Sequence, residues 1–212
     1  MASESCPVGP DGYSDCNLTQ ALRERAMERE KPIARSRAWQ ENLVRARKIE
    51  ILLLDVDGVL TDGTLLYSAD GGETKAFNTQ DGFGLRLLQD AGVDVGLITA
   101  RLSGAVARRA EDLGFAHVYA GRSDKITAYG ELLEKTGLSA EQTAFMGDDL
   151  LDLPVLLKAG CSFAPANAVA EVKQRVHYTA TSAGGHGAVR EVCELILEAR
   201  GQWSSILAGF SQ

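Results

Sequence analysis

The segment ILLLDVDGVLTDG, residues 51–63, runs four large apolar residues into Asp55 and Asp57 and leaves through glycines. An apolar run of that length, bounded by turn formers, fits a strand buried on both faces. A carboxylate is too costly to leave in a core unless something compensates its charge. The two aspartates therefore either cap the turn that follows or hold a cation and do chemistry.

The rest of the chain repeats the same plan. Short β-like runs (IEILLLDV, VDVGLIT, AHVYAG, TAFMG, CSFAP, VHYTA) alternate with helical stretches at 82–91, 103–113, 124–136, 149–158, 167–174 and 187–200. Gly92, Gly114 and Gly137 stand where helix C-caps belong. Such alternation predicts an α/β fold, a Rossmann-like parallel sheet with helices on both faces. One exception, TLLYSADGGETKAFN at 64–78, reads as a β-hairpin flap directly after the first strand. The intervals from Asp57 to Thr99 and from Thr99 to Lys125 are filled by that hairpin and by single helices and strands, so no cap domain fits between them. The α/β domain is thus assigned to residues 49–200, with 201–212 as a C-terminal tail. Residues 1–48 read as a charged, partly helical or flexible extension, interrupted at Pro32, with Leu22, Ile33, Trp39 and Leu43 available to dock.

A net charge of −7 without a long basic run argues against nucleic acid as a partner. The apolar runs are too short to span a bilayer, and the N-terminus lacks the basic and apolar regions of a signal peptide. Cys6, Cys16, Cys161 and Cys193 form no CxxC pair, and the last two sit in apolar contexts expected of reduced core residues. A cytoplasmic location is expected.

In a parallel sheet the ligand site lies at the carboxyl ends of the strands. Followed to those ends, the predicted strands deliver Asp55 and Asp57, Thr99, Lys125 and the acidic stretch beginning at Asp148 to one rim. Each has an ordinary explanation alone: Thr99 as a helix N-cap, Lys125 as a surface residue, Asp148 or Asp149 as a cap. Together they suit phosphoryl transfer. Mg²⁺ on hard oxygen ligands, the carboxylates of Asp55 and Asp148 and the backbone carbonyl of Asp57, would let a phosphate dianion approach. Asp55 would attack phosphorus, Asp57 would trade protons with the leaving alcohol and the attacking water, and Thr99 and Lys125 would hold the remaining phosphate oxygens.

DVDGVLTDG, Thr99, Lys125 and GDD resemble the four signature motifs of the haloacid dehalogenase superfamily. At closer range LLLDVDGVLTDG, KAFNTQDGFGLRLL, LITAR, MGDDLLDLPV and GGHGAVREVCEL resemble the 3-deoxy-D-manno-octulosonate 8-phosphate phosphatases, over about residues 48–200. The resemblance implies hydrolysis of that eight-carbon keto-sugar acid phosphate in lipopolysaccharide precursor synthesis. It also implies a homotetramer in which the hairpin and tail of one subunit close a neighbour's site. By the same resemblance Asn78, Thr79, Gln80, Asp81, Gly82, Arg86, Arg101 and Arg109 are expected to contact substrate, along with Asp57 and Lys125. Gln80 and His186 replace basic residues usual in relatives; one lost cation in a buried anion pocket weakens binding by about 1–3 kcal/mol. Those two positions bring in a nine-carbon keto-sugar acid phosphate as a second substrate, and a non-catalytic oligomerisation module of the same fold is the reading from another class. A receiver-type signalling domain is disfavoured by the second aspartate two residues after the first, and a mutase by the missing cap.

Overall fold

The computed structural model describes residues 18–24 and 34–211. The chain divides into two compact units, Met1–Ser36 and Arg37–Gln212. In the first, residues 18–24 are helical, with Leu22 exposed; Cys6, Cys16, Pro32 and Ile33 lie outside the described residues.

The second unit is built on a six-stranded sheet of order β5-β4-β1-β6-β7-β8, parallel throughout. Its strands are β1 (Ile51–Leu54), β4 (Asp94–Thr99), β5 (His117–Ala120), β6 (Thr143–Met146), β7 (Cys161–Ala164) and β8 (Tyr178–Thr179). β1 lies at the centre, and all four of its residues are fully buried. Leu52 and Leu54 pack into the cluster on one face with Leu88, Val192 and Ile196; Ile51 and Leu53 pack into the other with Tyr129, Leu132 and Phe145. Each such side chain contributes about 1.5–3 kcal/mol by leaving water, which explains why a continuous apolar run is required here.

Helices cover both faces: α1 (Arg37–Ala46), α2 (Thr79–Asp90), α3 (Gly104–Asp112), α4 (Lys125–Thr136), α5 (Leu153–Leu156), α6 (Ala170–Lys173) and α7 (Ala188–Ala199), with α8 (Trp203–Gly209) following. The expected helices are present, the 149–158 stretch as a 3₁₀ turn at Leu150–Asp152 leading into α5. The flap is shorter than its sequence suggests: β2 (Leu66–Tyr67) and β3 (Glu73–Thr74) form a separate antiparallel pair. Among the described residues no cap domain interrupts the series.

Residues 37–48, grouped with the extension on sequence grounds, belong to the compact unit. Trp39, Leu43 and Ala46 recur at helical spacing and bury one stripe of α1. The Trp39 ring meets Tyr178 edge-on at 6.0 Å, and Asn42 Nδ2 donates to the His177 carbonyl at 2.9 Å. At the other end, Trp203 and Ile206 of the tail pack against the same core. Cys161 and Cys193 are free and buried.

Candidate active site

Asp55 leaves the end of β1, Thr99 closes β4, Lys125 opens α4 beyond β5, and Asp148 follows β6. With Asp57, Arg101 and Asp152 they line a cavity of about 200 Å³ at the carboxyl edge of the sheet. The ordinary explanations fail for Thr99, Lys125 and Asp148 and hold for Asp149. The N-cap of α3 is Ser103, so Thr99, 2% exposed, is not a cap. Lys125 is 3% exposed and Asp149, not Asp148, caps the following turn.

Lys125 organises the rim. Its Nζ donates to Asp55 Oδ1 at 2.7 Å and to Asp152 Oδ1 at 2.6 Å. Asp152 Oδ2 accepts from the backbone N–H groups of Asp148 (2.9 Å) and Asp149 (3.2 Å). Asp152 thus ties the lysine to the acidic loop, a role absent from the sequence expectations. Its signal was there: a third aspartate four residues after Asp148, in a stretch read simply as helix.

Burial pushes the Asp55 carboxyl up to about 6, against the pull of Lys125. Burial, then the charges of Asp55, Asp152 and Asp149, pushes Asp148 up to about 7. Burial alone would lower the Lys125 ammonium; Asp55 and Asp152 reverse that and hold it above its ordinary range. Carboxylate oxygens of Asp55, Asp148 and Asp152 lie within 4.8 Å of one another. Three carboxylates face one ammonium, and Asp148 Oδ1 is buried with no hydrogen-bond partner. Hard oxygen donors with uncompensated negative charge fit a divalent cation such as Mg²⁺. The carboxylate of Asp57 stands outside that group: it accepts from the Lys75 ammonium and faces Arg101 Nε at 3.5 Å.

Glycines make this packing possible. Gly58 has φ +91°, and a Cβ there would lie 2.0 Å from Asp148 Oδ2. A Cβ on Gly184 would lie 1.7 Å from the Gly58 carbonyl oxygen, while Gly185 N–H donates to the Val59 carbonyl at 2.9 Å. The late GGHG segment therefore seals directly onto the aspartate loop.

The expected substrate contacts fall into two groups. Asp57, Lys125 and Arg101 are at the rim, Arg101 donating to Glu73 and to Tyr67 Oη, each at 2.8 Å. The remaining seven do not line that cavity, although Asn78 Nδ2 donates to the Gly185 carbonyl at 3.3 Å, beside the aspartate loop. Asn78 caps α2, its Oδ1 accepting from Gln80 N–H (2.7 Å) and Asp81 N–H (3.3 Å). Buried Asp81 accepts from Arg190 N–H (2.8 Å) and Gly187 N–H (3.3 Å), so it caps α7. Arg109 donates to the Asn78 carbonyl at 3.1 Å and lies over the Phe77 ring. Arg86 donates to the Asp112 carbonyl at 3.0 Å. Thr79, Gly82, Arg86 and Arg109 line a separate hollow of about 210 Å³ with Phe83 and Leu113, while Gln80 is exposed. Arg122 pairs with Glu131, and exposed His186 donates from Nδ1 to the Gly184 carbonyl at 2.9 Å.

A parallel sheet whose carboxyl edge gathers aspartates around one buried lysine defines a hydrolase of the haloacid dehalogenase fold. The profile of haloacid dehalogenase-like hydrolases matches residues 110–192. The chain is 44% identical over 160 residues, 76% of its length and 85% of the relative's, to the 3-deoxy-D-manno-octulosonate 8-phosphate phosphatase KdsC of Escherichia coli. It superposes with a TM-score of 0.79 and 42% identity on the Moraxella catarrhalis phosphatase of the same name, solved with magnesium, phosphate and KDO, covering 81% of this chain and 98% of that one. The cobalt-bound Haemophilus influenzae deoxy-D-mannose-octulosonate 8-phosphate phosphatase gives 0.76 and 40% identity, over 79% and 99%. The chain belongs to the 3-deoxy-D-manno-octulosonate 8-phosphate phosphatase family.

Proposed function

We propose that the protein is a Mg²⁺-dependent phosphatase that hydrolyses 3-deoxy-D-manno-octulosonate 8-phosphate to the free sugar acid and phosphate, in lipopolysaccharide precursor synthesis. The observation that carries this reading is the rim itself: Asp55 is held by Lys125 inside a carboxylate group whose Asp148 Oδ1 has no partner. Magnesium, held by Asp55, Asp148 and the Asp57 carbonyl with Asp152 behind them, would neutralise phosphate charge and polarise the P–O bonds.

Asp55 supplies the nucleophile. Its carboxylate oxygen forms a bond to phosphorus as the bond to the sugar oxygen breaks, and Asp57 passes its proton to that oxygen. Water then attacks phosphorus of the aspartyl-phosphate; the P–O bond to Asp55 breaks, returning its electron pair, and Asp57 takes the water's proton. Thr99 and Lys125 hold the non-transferring oxygens throughout.

One chain leaves the site open, and Asn78–Gly82, Arg86 and Arg109 do not line its cavity. We place them in a homotetramer, reaching a neighbour's site alongside Arg101 of the host chain. Exposed Leu65, Leu66 and Tyr67 on the hairpin and Phe83 beside the second hollow support such burial. No helix among the described residues is long and apolar enough to cross a membrane; a cytoplasmic location is part of this reading. Gln80 and His186 favour a second reading, the nine-carbon keto-sugar acid phosphate.

Phosphate release from a panel of sugar phosphates, with and without Mg²⁺, tests it. The expected result is preference for the eight-carbon ester, lost with EDTA and reduced at least about 10³-fold in Asp55→Asn. Preference for the nine-carbon ester moves the substrate and keeps the chemistry. Folded, metal-loaded protein that releases phosphate from none of the panel overturns the enzyme reading in favour of an assembly module.

A further inference from the structure

The hairpin reaches back to the second aspartate. Lys75, one residue beyond β3, donates from its ammonium to Asp57 Oδ1, with 1% of its side chain exposed. Glu73 Oε1 lies 3.7 Å from the same ammonium. Arg101 closes the ring from the β4 side: its Nη2 donates to Glu73 Oε2 and to Tyr67 Oη, and its Nε stands 3.5 Å from Asp57 Oδ2. That last distance is beyond a good hydrogen bond. The two oxygens of Asp57 are therefore unlike. Oδ1 is committed to a buried ammonium that would be costly to leave unpaired, whereas Oδ2 has only the longer ion pair with Arg101 and accepts no close hydrogen bond.

We propose that Lys75 is a positioning residue for the reaction: by holding Oδ1 it fixes the Asp57 carboxyl so that Oδ2 is the oxygen that gives and takes the proton. This rests on the reading of Asp57 as proton donor and acceptor given above. When the bond from phosphorus to Asp55 forms and the bond to the leaving oxygen breaks, the proton on Oδ2 moves to that oxygen, and Oδ1 stays with Lys75. In the second half the attacking water returns a proton to Oδ2. The flap thereby orients the proton donor from outside the sheet.

A sugar alkoxide needs that proton to leave; a nitrophenolate does not. The test is kcat/KM for the eight-carbon sugar phosphate and for p-nitrophenyl phosphate, measured on the full-length wild type, Lys75→Met and Lys75→Arg with saturating Mg²⁺. Because kcat/KM ends at the first irreversible step, it reports transfer to Asp55 rather than later hydrolysis. Lys75→Met is expected to lose about 100-fold on the sugar ester and under about fivefold on the aryl ester, with the sugar KM little changed. Lys75→Arg is expected to recover at least about tenfold of the loss. In an Asp57→Asn background Lys75→Met should cost nothing further, because both changes remove one function. Equal losses on the two esters, a change confined to KM, or full additivity with Asp57→Asn overturns the inference. Lys75→Gln carries the same comparison should the methionine variant not fold. A wild type that cleaves neither ester overturns the phosphatase reading and the inference together. One that cleaves the aryl ester and a different alkyl phosphate moves only the substrate, and the ratio is then taken on that ester.

Discussion

At the scale of single residues, the acidic loop is shaped by what is missing at position 58. Asp148 Oδ2 occupies the space a Cβ would need, at 2.0 Å, and the backbone there is left-handed. Gly58→Ala must therefore displace either the carboxylate or the turn. The expected outcome is a rise of at least about tenfold in the Mg²⁺ concentration for half-maximal activity, with the fold retained by circular dichroism; an unchanged metal dependence would contradict the packing. Residue-scale legibility divides along a clear line. Asp55, Thr99, Lys125 and Asp148 were legible because each ends or follows a strand whose apolar pattern is local. Asp152 and Lys75 were not, since their roles exist only when Asp152 meets Lys125, 27 residues away, and Lys75 meets Asp57, 18 residues away. Asn78 and Asp81 show the converse: a motif points to them, while their side chains cap α2 and α7.

At the scale of elements, α1 joins the domain along a buried stripe whose one aromatic ring is Trp39. Trp39 is 2% exposed and packs on Tyr178, a residue of the last strand. Trp39→Ala is expected to cost about 3–5 kcal/mol in urea unfolding while leaving kcat near wild type at temperatures where the variant is folded. The amphipathic stripe was readable from the spacing of Trp39, Leu43 and Ala46. Its partner was not, because Asn42 bonds His177 across 135 positions. The hairpin is a similar case. Its turn residues announced two strands, but only two residues on each side pair; the remainder of 64–78 is held by side chains, chiefly Lys75 and Arg101, rather than by a ladder.

At the scale of the whole molecule, the acidic rim makes stability depend on pH and metal together. Asp55 and Asp148, raised to about 6 and about 7, bind protons more tightly folded than unfolded, where carboxyls titrate near 4. Their contribution is present at low pH and is lost as pH rises through those values. Asp62, Asp70 and Asp124, held below the ordinary range by hydrogen bonds, complete their titration below this window. His177, lowered by burial, acts in the opposite sense at its acid end. In EDTA the melting temperature is therefore expected to fall as pH rises from about 5 to about 7 and to level off above that, and to fall less in Asp148→Asn, which isolates the carboxylate from His177. Added Mg²⁺ is expected to raise the melting temperature more at pH 8 than at pH 6; a metal effect independent of pH would contradict the assignment.

The contact of Gly184 with Gly58 also sets an order of events in the life of the chain. The loop bearing Asp55 is synthesised well before its outer wall, which is laid down only with residues 184 and 185. A ribosome-bound chain shorter than that can pair β1 with β4 and β6 and still lack a closed site. The wall of the aspartate loop is thus completed only after residues 184 and 185 have emerged, more than a hundred positions behind Asp55.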